Sequence, residues 1–246
     1  MSRKQLDVTV RQTRPDDFDG IIELCQRVYP TSNAWKHEQL ASHLNVFPEG
    51  QIVAIAPETN RVVGMAASLI VLWEDYDFDM TWRRMTDVGS FTNHNPEGHT
   101  LYGAEVMADP ELRRRGIGKA LYQARRDLVR RHRLHRIRAG ARLRGYHRYA
   151  ADMTPTQYVE RVVRGELTDP TLTFQLRQRF RVIAVTEGYL HNDPESLGHS
   201  AVIEWLNHDV VKPKDYARRD RRFLPERHPL TRDPPPTSSR SSARSP

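Results

Sequence analysis

The amino-acid sequence predicts an α/β (α+β) fold: a mixed, mostly antiparallel central sheet of about seven strands with helices on both faces. Three observations carry that expectation. Segments of strand and helix pattern follow one another in the order βααβββαβ(αα)ββ, with no internal repeat. One junction runs from a strand through an arginine- and glycine-rich turn into an amphipathic helix, the local arrangement of an anion cradle. The 246 residues are 38% hydrophobic and 28% charged, enough for a core, while the longest apolar run, Val62 to Trp73, is about half a membrane span.

Val8 and Val10 alternate with polar residues and predict a first strand. Arg14-Pro15-Asp16-Asp17 then opens a helix, with proline and acids in its first turn. Phe18, Ile21, Ile22, Cys25 and Val28 follow helical spacing until Pro30. Cys25 lies on that apolar stripe and reads as a core thiol; as the single cysteine it excludes an internal disulfide and a zinc site of several thiolates. Trp35 to Leu44 reads as a second helix, and Gln51–Ala56 and Arg61–Trp73 as strands joined by a turn at Pro57-Glu58-Thr59-Asn60. A polar stretch from Glu74 to His99 follows, with Glu74, Asp75, Asp77 and Asp79 at its start. Thr100–Ala108 is the next strand and Ile117–Arg133 a long helix with Ile117, Leu121, Ala124 and Leu128 inward. Arg136–Leu143 reads as a strand, Thr156–Arg164 and Asp169–Arg179 as helices, and Arg181–Leu190 and His199–Leu206 as closing strands.

The formal charge of +7 points at first to nucleic acid. Divided along the chain, it reads differently. Residues 212–246 hold ten Lys/Arg against four Asp/Glu, so the body, 1–211, carries only +1. Within that body Glu111–Tyr149 holds fourteen basic residues against two acidic ones, set in an anionic frame. A local anion matches such a block better than a nucleic-acid track. The segment 212–246 is rich in Pro, Ser and Arg, is expected to be largely disordered, and alone keeps a nucleic-acid reading; Phe223 and Leu224 are its candidates for docking on the body. No charged-then-apolar leader opens the chain, which makes a cytoplasmic location the expectation, with no membrane partner. His132, His135 and His147 stand among arginines, and no metal is expected.

The chemistry concentrates in Leu101-Tyr-Gly-Ala-Glu-Val-Met-Ala-Asp-Pro-Glu-Leu-Arg113-Arg-Arg-Gly116-Ile-Gly118-Lys-Ala-Leu. The first amides of a helix lack internal acceptors and sit at the positive end of its dipole. Gly116 and Gly118 let N–H groups approach a phosphate, and Arg113, Arg114 and Arg115 add charged donors. A P-loop pattern is missing, and a dinucleotide fingerprint would need a third glycine where Leu121 stands. Arg113-Arg114-Arg115-Gly116-Ile117-Gly118, after a strand ending Met107-Ala108-Asp109-Pro110, instead fits Arg/Gln-x-x-Gly-x-Gly/Ala. This resembles the acyl-CoA-binding motif of the GNAT N-acetyltransferases, over about residues 7–210. It is more similar still to the bacterial subgroup in which a GNAT domain precedes a carbon–nitrogen hydrolase. Tyr76-Asp77-Phe78-Asp79, His94-Asn95-Pro96-Glu97-Gly98, Tyr102-Gly103-Ala104-Glu105-Val106-Met107, Gly145-Tyr146-His147-Arg148-Tyr149-Ala150 and Asp169-Pro170-Thr171-Leu172 carry that likeness. With about 35 residues beyond the domain and the cysteine in the first helix, a stand-alone relative is expected.

The resemblance implies the GNAT fold and an N-acetyltransferase that moves an acetyl group from acetyl-CoA, as co-substrate, to a primary amine on a small molecule or a peptide, by direct attack in a ternary complex. It implies backbone groups near Met107 and Ala108 on the pantetheine and acetyl carbonyl, and amides from Arg114, Arg115, Gly116, Ile117, Gly118 and Lys119 on the pyrophosphate, with Arg113 in support. Glu105 is the expected general base, on one strand face with Leu101, Gly103 and Met107; its competing reading is a structural carboxylate paired with an arginine such as Arg142. Where relatives place a tyrosine before Gly-Phe, this chain has Gln175 and then Arg179-Phe180, so proton return to the thiolate falls to Tyr146, Tyr149, Tyr158 or solvent. Those departures motivate a second reading, a CoA-binding scaffold that senses CoA or anchors a hydrolase. A homodimer is left open.

Overall fold

The computed structural model describes residues 7–30, 34–78, 80–212 and 221–223. The first alternating segment becomes β1 (Thr9–Gln12), paired antiparallel with β2 (Gln51–Ala56). Between them a 3-10 turn at Pro15–Asp17 leads into α1 (Phe18–Val28), and α2 spans His37–Val46. β3 (Arg61–Val71) and β4 (Thr100–Ala108) continue the antiparallel run, α4 (Ile117–Arg131) crosses over, and β5 (Arg136–Arg142) returns parallel to β4. The polar stretch before β4 contains a short helix, α3 (Trp82–Met85), capped by Thr81, that periodicity did not signal in four residues. α5 (Pro155–Val163) and α6 (Leu172–Arg177) precede β6 (Arg181–Thr186) and β7 (Ser200–Leu206). The sheet has seven strands in the order β1-β2-β3-β4-β5-β7-β6, and only β4 and β5 run parallel.

Helices cover both faces, which is why β2 and β3 are apolar without alternation. On one face Phe18, Ile21, Leu24 and Cys25 of α1 pack against Val53, Met65, Leu69, Tyr102 and Met107. On the other, Ile117 and Leu121 of α4 meet Ile52, Ala54 and Ala66, while Leu128, Val159 and Leu176 close over Leu101, Ile137 and Ile203. Cys25 is 3% exposed, and burial pushes its thiol up to about 11, as a core thiol requires. Phe223 is buried in the second face's core. Residues 213–220 and 224–246 of the expected tail, Leu224 among them, lie outside the described residues.

α6 begins later than its pattern suggests because Asp169 caps it. Its Oδ1 accepts from the amides of Thr171 and Leu172 at 2.8 Å each, and its Oδ2 from Gly145 N and the Tyr158 hydroxyl. The same helix ends in a Schellman turn: Phe180 N–H reaches Gln175 O at 3.2 Å and Arg179 N–H reaches Leu176 O at 2.9 Å. α5 ends identically on Gly165 at φ 78°, but α6 places Arg179 there at φ 67°. A non-glycine residue in this conformation costs about 1 kcal/mol. Arg179→Gly is therefore expected to raise Tm by roughly 2–4 °C in a thermal melt.

Candidate active site

β4 and β5 pair only over Thr100–Tyr102 with Arg136–Arg138. Beyond Tyr102 they part, so β4 from Gly103 to Ala108 has no strand partner on that side. One extended edge of backbone is left open along a fork. At the end of this edge Asp109 turns the chain. Its side chain is fully buried, accepts from Glu111 N–H at 3.0 Å, and is clamped by Arg61 Nη2 at 2.7 Å and Arg27 Nε at 3.3 Å. No local pattern marks Asp109 for this role, because its partners come from the β2–β3 hairpin and α1.

The turn then delivers the predicted phosphate-binding residues together at the start of α4. Gly116 caps that helix at φ 92°, a conformation glycine adopts freely, with Arg114 also left-handed at φ 63°. Arg113, Arg114 and Lys119 are exposed and make no ion pair among the described residues, so their charge is available to a ligand. Gly118 is explained by packing: a Cβ there would lie 2.9 Å from Phe174 of α6. Part of the basic block is spent internally. Arg136 and Arg138 share Glu204, Arg142 binds Asp193 and Glu195, and Arg144 binds Glu195. Those four arginines are thereby withdrawn from a ligand, while Arg113, Arg114 and Lys119 remain exposed at the turn.

Glu105 stands on β4, but on the other face from the one alternation gives it. Ala67 opposes Glu105 and Ser68 opposes Gly103, so Ala104 is a bulge. Leu101 and Gly103 face α4, while Tyr102, Ala104, Glu105 and Met107 face α1. The Glu105 carboxylate accepts from the Tyr29 hydroxyl at 3.0 Å and from Val106 N–H at 3.0 Å. Burial pushes its pKa above the usual carboxylate range, against the opposing pull of those bonds and of Arg125 and Arg142. Arg142 does not pair with it: its Cζ lies 5.6 Å from the Tyr29 ring, and its guanidinium is taken by Asp193 and Glu195. Beside Glu105 the Tyr102 and Tyr189 hydroxyls are hydrogen-bonded to each other, and Trp82 Nε1 donates to the bulged Ala104 O at 2.9 Å. Tyr29, Tyr189 and Trp82 lie far from β4 in the chain, and no local pattern marks them.

The three tyrosines offered for proton return are assembled elsewhere. Tyr158 donates to Asp169, Tyr146 to Met153 O, and Tyr149 packs on Tyr158 at 5.4 Å between ring centres. Gln175, at the position of the missing tyrosine, is buried and donates to the Tyr122 hydroxyl at 2.9 Å. Among the described residues no three His, Cys, Asp or Glu side chains are grouped to hold a metal ion, and no helix is long and apolar enough to cross a membrane.

Residues 18–150 match the acetyltransferase (GNAT) family. The chain belongs to the GNAT family. It is an acyltransferase, with the seven-stranded GNAT fold. This GNAT chain is 37% identical over 209 residues to the uncharacterized N-acetyltransferase YkwB of Bacillus subtilis, covering 83% of itself and 91% of that protein. It is 40% identical over 211 residues to the probable hydrolase YhcX of the same organism, covering 86% of itself but 41% of that longer protein, in keeping with the likeness to GNAT domains fused to hydrolases. Among solved structures, a GNAT-like decarboxylase, GphF in complex with isobutyryl-CoA, shares the fold with a TM-score of 0.66 at 19% identity, over 80% of this chain and 98% of that one.

Proposed function

We propose that the protein is a cytoplasmic N-acetyltransferase that transfers the acetyl group of acetyl-CoA to a primary amine by direct attack. The observation that carries this reading is the fork: an open β4 edge that starts at Gly103 and ends at the Gly116-capped helix with its exposed arginines. Amides from Arg114 to Lys119 hold the pyrophosphate, aided by the Arg113 side chain. The pantetheine arm lies back along the open edge, with backbone groups of Met107 and Ala108 as partners, which brings the thioester to the Gly103–Glu105 end. Glu105, on the α1 face, takes the ammonium proton directly or through water, its raised pKa suiting it to that task. Proton return to the thiolate comes from solvent, because the nearby phenols of Tyr29, Tyr102 and Tyr189 are pushed up by burial.

The test is a calorimetric titration with acetyl-CoA followed by thiol release across a panel of primary amines. Saturable binding and release dependent on one class of amine are expected. An absence of both heat and thermal shift at saturating acetyl-CoA would overturn the proposal.

A further inference from the structure

Arg125 of α4 is 1% exposed and forms no ion pair with a carboxylate among the described residues. A guanidinium cation held away from water without a counter-charge is costly, and its hydrogen bonds show what it is held for. Nε donates to Ser68 Oγ at 3.0 Å, and Nη2 donates to Ala67 O at 2.6 Å and to Glu105 O. These acceptors lie on the two sides of the Ala104 bulge. The fixed half of the guanidinium therefore staples β3 to β4 where the register shifts.

The remaining nitrogen, Nη1, makes no hydrogen bond among the described residues, and it is not an enclosed atom. It stands 3.0 Å from where a Cβ on Gly103 would be, and the Ala139 Cβ of β5 stands 3.5 Å from the same point. Gly103 is the first β4 residue past the β5 pairing. Nη1 is thus aimed at the closed end of the fork, on the α4 face, across β4 from the Glu105 carboxylate. A side chain at position 103 would cover it.

The geometry points to Arg125 Nη1 as the donor that takes the thioester oxygen when the amine attacks. This inference rests on the acyl-transfer reading of the fork and adds a catalytic residue to it. In the step, the amine nitrogen bonds to the carbonyl carbon, and the C=O π pair moves onto the oxygen beside Nη1. The ammonium proton passes to Glu105. The C=O bond then re-forms and expels the thiolate, which takes up a proton and leaves as CoA. A charged donor fixed in advance in a low-dielectric site suits an oxygen that becomes negative only in the transition state. The unpaired cation of the resting protein gains its counter-charge there.

Arg125→Gln would also remove the staple at the bulge, so the sharper variant is Gly103→Ala, whose methyl group would lie 3.0 Å from Nη1 and 3.3 Å from Cζ, covering Nη1 and shifting the guanidinium by a few tenths of an ångström while keeping the Nε and Nη2 donors of the staple. Isotope-edited infrared spectroscopy of acetyl-CoA labelled at the carbonyl is expected to show a lower C=O stretch on the wild-type protein than on Gly103→Ala. With the acetyl-CoA Kd unchanged within about twofold, kcat for thiol release, to water and to the fastest amine of a panel, is expected to fall about 10²-fold. Equal stretches and equal kcat would overturn the assignment, as would a kcat loss matched by the loss in affinity. Succinyl-CoA binding ten times more tightly than acetyl-CoA, with that preference abolished in Gly103→Ala, would also overturn it and give Nη1 to an acyl carboxylate. Failure of the wild-type protein to bind acetyl-CoA would sink the acyl-transfer reading as well, whereas wild-type turnover with an unimpaired Gly103→Ala sinks the role of Arg125 alone.

Discussion

Glu105→Gln is expected to lower kcat by about 10²-fold or more while raising thermal stability at neutral pH. The first effect is the loss of a positioned base. Glutamine keeps an oxygen for the Tyr29 hydroxyl and for Val106 N–H, so the site should hold its shape and acetyl-CoA its affinity. The second follows from linkage. Burial raises the carboxyl's pKa in the fold above the ordinary 4.5, so between those two values the folded state holds a proton that the unfolded chain has released. Stability contributed by this group is present below 4.5 and is lost as pH rises through the folded pKa. An uncharged side chain avoids that loss, so the gain in Tm should be largest at neutral pH and vanish in acid. The wild-type pH profile of kcat/KM should carry an ascending limb above the usual carboxylate range, and Glu105→Gln should remove that limb. A variant with full turnover, or one with slow turnover and an unaltered limb, would show that Glu105 is structural.

The two effects separate a catalytic carboxylate from a structural one. A carboxylate retained for stability would be expected to weaken the fold when neutralised. Here the group is held by a phenol and an amide, without an arginine in direct contact, and its charge is carried at a cost. Arg125 and Glu105 share that character from opposite sides of β4: each is buried or partly buried, and neither has an ion-pair partner among the described residues.

The sequence made the framework legible because its signals are local. β2 and β4 are found at the predicted residues, and α4 starts at the predicted Ile117, since alternation, apolar runs and glycine caps act over a few positions. The glycine-capped turn that opens α4 was legible for the same reason. The orientation of Glu105 was not, because a single bulged residue reverses alternation and bulges are set by pairing with β3. Nor was the fate of the arginines. Arg138 and Glu204 are 66 residues apart in the chain, and only adjacent strands bring them to 2.9 Å. A charge count along the chain therefore overstated the positive field that a ligand meets. Arg179 shows the converse. Its departure from the family's glycine suggested altered chemistry, yet the backbone keeps the left-handed conformation that glycine favours, and the change reads as strain at a helix end.

Asp109→Ala is expected to have the largest effect on stability, because the carboxylate is fully buried and two arginines converge on it. Removing one member of a buried ion pair typically costs about 3 kcal/mol or more, since the partner charge is left without compensation. Arg61 can swing to water from its half-exposed position, but Arg27 is the greater liability: its Nε and Nη2 are enclosed, without hydrogen bonds among the described residues. For a chain of this size, about 3 kcal/mol corresponds to a fall in Tm of roughly 6–12 °C. Asp109→Asn should lose less, because the amide oxygen can still accept from Glu111 N–H and cap the turn. The same substitution carries a functional consequence that a remote core mutation would lack. Asp109 is the residue at which β4 hands the chain to the Arg113–Gly116 turn, so loosening it should weaken acetyl-CoA binding under conditions where the protein remains folded. Adding Arg27→Met to Asp109→Ala removes the stranded charge, and should restore much of the stability but not the affinity. Recovery of both together would mean that the turn needs no anchor, and that Asp109 serves only to neutralise Arg27.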